Sequence, residues 1–221
     1  MMTNLFSVFD PSTGNLSLNW ISTMIGLMIL PMMFWYLPSR FTFINMFIMK
    51  KLHTEFNLLM NKSSKGNSLL LISMFMFILL NNILGLLPYV FTSSSHMVFT
   101  ISMALPLWVS YMIFGWFLNT NKMFYHLIPL GTPPILMPFM VCIETVSNII
   151  RPGSLAVRLT ANMIAGHLLM SLLGSMIIDK NLLLIIILLM IQMMLMLFEI
   201  AVSIIQAYVF SVLSTLYSSE I

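Results

Sequence analysis

Leu182 to Ser218 reads LLLIIILLMIQMMLMLFEIAVSIIQAYVFSVLSTLYS, 37 residues with one charged side chain, Glu199, and neither proline nor glycine. As a single helix at about 1.5 Å per residue it is about 55 Å long, nearly twice the roughly 30 Å of hydrocarbon in a bilayer. Ordinary tilting absorbs only moderate mismatch, so this rod is expected to incline steeply or to protrude. The rest of the chain agrees: 60% of its 221 residues are apolar and 7% are charged, which places it among integral membrane proteins. A formal charge of +3, from scattered basic residues, excludes a nucleic-acid surface.

Three more uncharged segments are long enough to cross: 20–37, 68–87 and 97–118. Pro31 is expected to kink the first, which ends in the interface-suited FWYLP. Pro88 ends the second, and Pro106 is expected to bend the third. Between the first two spans lie Arg40, Lys50, Lys51, Lys62 and Lys65 against Glu55 alone, so the positive-inside rule puts this loop in the compartment of synthesis. Lys122 falls on the same side after two further crossings. Phe43, Phe47, Leu52, Phe56 and Leu59 recur at helical spacing and predict an amphipathic surface helix over 41–60.

From 134 to 178 a second long helical stretch is expected, with a break at Pro152 and Gly153, joined through Asp179–Asn181 to the 182–218 helix. The fold class is therefore an all-α integral membrane protein. A single membrane domain, 1–221, holds five to six helices and ends in a long, steeply tilted hairpin. Met1–Asp10 lacks a basic n-region and carries Asp10, so neither a secretory signal nor an Arg-rich transit peptide is expected. Cys142, the one cysteine, excludes an intrachain disulfide and reads as a small buried apolar side chain.

Ionisable groups inside a bilayer cost from about 3 to over 10 kcal/mol unless they face protein or water, so each is a functional candidate. Glu144, Arg158, His167 and Glu199 are such groups. Arg158 follows the Pro152–Gly153 pair closely enough to snorkel, yet Ala161, Asn162 and Ala165 surround it with small residues that favour close approach of a partner helix. Always protonated, it cannot relay a proton, but it can draw one off a neighbouring carboxylic acid. Glu199 shares a stripe with Gln192, Ser203 and Gln206, either a hydrogen-bonded seam or the lining of a proton path. His167, nine residues beyond Arg158, faces the opposite way and reads as a core histidine or as a proton-transfer group. Glu144 shares a face with Asn148 and Arg151, as a structural cluster or a path residue. His53, His96 and His126 lie in or near loops and receive no role.

The segments PFMVCIETVSNIIRPGSLAVRL, RLTANMIAGHLL and QAYVFSVLSTLYSSE, with MMTNLFSVFDPST and NNILGLLPYVFTSSSH earlier, resemble the subunit a family of mitochondrial F-type ATP synthases. The likeness extends over essentially the whole chain and is most specific from Gly131 onward. It implies a multi-pass stator of the mitochondrial inner membrane, without a cofactor or metal, whose tilted hairpin faces a ring of c subunits and adjoins peripheral-stalk and other Fo subunits. It also implies that Arg158 faces each passing c-ring carboxylate, with Asn162 and Gln206 as polar neighbours. His167 and Glu199 would line the intermembrane-space half-channel, and Glu144 would be the acid of the matrix half-channel. ATP would be made elsewhere in the complex. Other classes fit less well: a redox-linked pump needs histidines on facing helices, and a secondary transporter usually shows internal repeats. A purely structural anchor leaves the polar stripe without a reason.

Overall fold

The computed structural model describes residues 5–14, 16–31, 36–60, 66–128, 132–177 and 181–220. Within them the chain forms seven α-helices and no strand: α1 (Ser22–Ile29), α2 (Arg40–Leu59), α3 (Asn67–Gly85), α4 (Met97–Leu118), α5 (Thr120–His126), α6 (Met137–Met176) and α7 (Leu182–Glu220). The helix beyond the expected five to six is α5, seven residues long, which starts where α4 is capped at Asn119.

Two prolines act differently from expectation. The first helix is not kinked by Pro31 but stopped: Leu30 is extended, with φ −63° and ψ 123°, because the ring of a proline drives the preceding residue out of the helical region. Residues 32–35, which include Phe34 and Trp35 of the FWYLP motif, lie outside the described residues, as do Lys62, Lys65, Gly131, Asp179 and Lys180. At Pro152 the expected break does not occur, and α6 runs through it for 40 residues. Membrane helices tolerate such a proline because neighbouring groups take over the freed carbonyl. The cost is one donor, so the Asn148 carbonyl lacks its intrahelical N–H.

α3 and α7 form the core contact. α3 turns Leu71, Phe75, Ile78 and Asn82 to the interior at spacings of four, three and four, one face of a helix. α7 answers with Ser203, Ala207, Ser211, Ser214 and Thr215, all at most 1% exposed. Small side chains let the two backbones approach closely, and each hydroxyl is satisfied within its own helix, as in Ser203 donating to the Ile200 carbonyl at 2.7 Å. The first half of α7 is the reverse. From Leu182 to Phe198 none of its residues is buried, and Met190, Met194 and Phe198 are 68%, 72% and 68% exposed.

The expected surface helix divides along its length. In α2 the side chains of Leu52 and Phe56 are buried against the bundle, and the Tyr208 hydroxyl of α7 donates to Glu55 at 3.4 Å. Phe43 and Phe47 remain exposed, an apolar face left for lipid. Cys142 is exposed rather than buried. At the N-terminal end the Asp10 carboxylate accepts the Ser12 amide at 3.0 Å, which holds Asp10 below the usual carboxylate range.

Candidate functional site

The polar side chains of the hairpin gather into two groups, one toward each end, with Arg158 between them. Arg158 follows the start of α6 by 21 residues and precedes its end by 18, so it sits near the helix midpoint. It is exposed and takes no part in the one ion pair found among the described residues. Asn162, one turn on, and Gln206 of α7 are half-buried.

In the first group, Glu199 is 8% exposed and neither carboxylate oxygen has a hydrogen-bond partner among the described residues. Its position is set by α6: a Cβ built on Gly166 would lie 2.8 Å from the Glu199 carboxyl carbon and 2.9 and 3.1 Å from its oxygens. The carboxyl group thus occupies the space that any residue other than glycine would fill. The next residue is His167, whose Nε2 is likewise buried without a partner and whose ring meets Phe9 edge-on at 6.2 Å. Glu199 and His167 come to neighbouring positions without a hydrogen bond between them.

More polar atoms in the same condition lie at this end. Asn82 of α3 is fully buried; its amide donates weakly to the Ser203 carbonyl at 3.4 Å, and its Oδ1 has no protein partner. The Ser93–Ser95 turn packs on α6 with Ser94 Oγ unpartnered. His96 stacks on Phe91 at 5.1 Å and tilts on Trp20 at 5.3 Å, again with Nε2 buried and unpartnered. An unmet buried polar atom costs about 1–3 kcal/mol, and polar atoms so placed are suited to bridging by water.

The second group lines a cleft of about 410 Å³ among α4, α5, α6 and α7. Arg151 pairs with Glu144 at 3.4 Å and lies over the Tyr217 ring, 5.2 Å from its centroid. Trp108, Tyr111, His126, Thr145 and Asn148 add further polar groups to the lining.

The sequence alone singles out Glu144, Arg158, His167 and Glu199, and groups Glu144 with Arg151, but assigns no role to Gly166, Asn82, His96 or Tyr217. For Gly166 a signal existed: glycine inside a helix costs about 1 kcal/mol relative to alanine, so its presence one residue before a membrane histidine calls for a packing reason. For Asn82 the signal is an amide pair, Asn81–Asn82, within an apolar span.

The family model described as ATP synthase A chain matches residues 16–219. Proteins named ATP synthase subunit a from Anopheles quadrimaculatus and Drosophila simulans are each 58% identical to the chain, over 225 and 223 residues. The corresponding protein of Locusta migratoria is 58% identical over 224 residues. In all three comparisons the whole of both chains is covered.

Proposed function

The chain belongs to the ATP synthase A chain family and serves as the proton-translocating stator subunit of the Fo sector, in the mitochondrial inner membrane; we propose that Arg158 is the fixed cation at which rotor carboxylates give up their protons. The chain assembles with other Fo components, and the partner that meets Arg158 is the ring of c subunits, with peripheral-stalk subunits on other faces. ATP itself is made elsewhere in the complex.

The observation that carries this reading is the exposed, unpaired arginine at the midpoint of a membrane helix. Such a charge is tolerable only where a partner or water meets it. The small Ala161 and Ala165 beside it favour close approach of another helix.

A proton enters past the Glu199–His167 group and neutralises a rotor carboxylate, which can then turn through lipid. Arriving at the other side of Arg158, the acid meets the permanent cation, which favours its ionised form, and the proton leaves along the Glu144 cleft. Asn162 and Gln206 hydrogen-bond the carboxylate as it passes. Glu199 lies against Gly166, eight residues beyond Arg158, or about 12 Å along the helix; Glu144 lies 14 residues before it, or about 21 Å. The paths are therefore offset, with a fixed charge between them, and protons cross only by rotation. Each one moved across 100 mV supplies about 2.3 kcal/mol.

Arg158→Ala in the assembled complex is expected to abolish ATP-driven proton pumping while permitting a passive leak. Vesicle acidification assays read both, and normal pumping overturns the proposal.

A further inference from the structure

Arg151 carries the other positive charge on the Arg158 face of α6. Glu144, Arg151 and Arg158 are spaced seven residues apart, so successive members lie within about 20° of one another and about 10.5 Å along the axis. A proton released opposite Arg158 and bound for Glu144 must pass this second guanidinium. Standing alone, Arg151 would repel it.

The structure neutralises Arg151 from two sides. Glu144 pairs with it at 3.4 Å, and the face of Tyr217, from the last turns of α7, lies 5.2 Å from it. The pair is only partly open, with side-chain exposures of 27% for Arg151 and 38% for Glu144, and it forms one wall of the cleft. The titratable groups facing it are Tyr111 from α4, His126 from α5 and Tyr217 from α7. Trp108 adds an indole N–H buried without a partner, and Asn148 a carbonyl that Pro152 deprives of its helical donor. A tie between α6 and α7 would need only Arg151 and Tyr217. Glu144 is superfluous to that tie, and its pairing calls for another reason.

We infer that Arg151 is a positioning residue for the inner acid: clamped on Tyr217, it holds the Glu144 carboxylate at the cleft wall, and Glu144 in turn cancels a charge that would otherwise block proton exit. This rests on the reading of Glu144 as the matrix-side acid. The two residues work as one unit, so their substitutions are not additive.

The test is proton translocation by the assembled complex carrying Arg151→Gln, Arg151→Lys, Glu144→Gln and the Glu144→Gln/Arg151→Gln double change, with complex content measured alongside. Arg151→Gln is expected to slow translocation roughly three- to ten-fold, and Arg151→Lys to recover most of it. Glu144→Gln leaves an unpaired cation as well as removing the acid, so the double variant should run faster than Glu144→Gln alone. If Arg151→Gln prevents assembly, Tyr217→Leu takes its place. It loosens the clamp while keeping both charges, and should slow translocation only where Glu144 is present. An unimpaired Glu144→Gln complex overturns the matrix-path reading and this inference together. An impaired Glu144→Gln complex with a normal Arg151→Gln rate, or a double variant slower than either single one, overturns the inference alone. So does a Tyr217→Leu effect that persists without Glu144.

Discussion

Glu199 and Glu144 sit toward opposite ends of the α6–α7 hairpin and are held by different means. Glu199 is buried, has no protein hydrogen bond, and is located by shape, its carboxyl filling the space that Gly166 leaves. Glu144 is partly exposed and located by charge, through Arg151. A carboxyl group with unmet oxygens can take a proton from water and pass it on without first breaking an ion pair, which suits uptake. One held beside a cation keeps its geometry as protons go by, which suits release. Four substitutions test whether shape and charge divide the hairpin in this way.

The largest effect is expected at Glu199. Replacement by leucine removes the titratable group from the proposed uptake end, and loss of a positioned proton-transfer group costs about 100-fold. ATP synthesis driven by an outer proton gradient should fall by that order with assembly intact. A synthesis rate within two-fold of the unaltered complex would mean, roughly, that Glu199 is only a seam residue, and the contrast with Glu144 would collapse.

Next comes the glycine pair on α6. Gly166→Ala puts a methyl group where the Glu199 carboxyl lies, and a displacement of a few tenths of an ångström at a transfer site is expected to cost about ten-fold in synthesis rate. Gly153→Ala, nearer the charge-held end, meets nothing within 4 Å and should gain about 1 kcal/mol of helix stability with unchanged rate. Thermal stability and synthesis measured on both variants separate the two cases. Equal effects at both glycines would show that Gly166 serves the helix and not the acid.

The hairpin was legible because its information is local: a 37-residue apolar run fixes α7, and charges inside apolar runs announce themselves. Glu144, Arg158, His167 and Glu199 are conspicuous for that reason. What could not be read is whatever depends on a second helix. Gly166 matters only because Glu199 comes back onto it from α7, and Arg151 is clamped only because Tyr217 ends up beside it, 66 positions along the chain. The prolines misled for a related reason. A local rule predicts a break at Pro152, but in lipid the alternative to a continuous helix is exposed backbone, which costs more than one lost hydrogen bond.

The smallest effect is expected at Asn82, and it asks how far the shape-held group extends beyond Glu199 itself. Asn82 is fully buried on α3, gives one long hydrogen bond to the Ser203 carbonyl, one turn past Glu199, and keeps an unpartnered Oδ1. Interhelical hydrogen bonds in membranes average only about 0.6 kcal/mol, and leucine removes the weak bond and the orphaned oxygen together. Asn82→Leu should therefore leave thermal stability within about 1 kcal/mol. If Oδ1 holds water on the way to Glu199, the same substitution slows synthesis about three-fold at unchanged complex content, because a displaced water takes its hydrogen bonds with it. A normal rate would confine uptake to Glu199 and His167 and make Asn82 part of the α3–α7 seam.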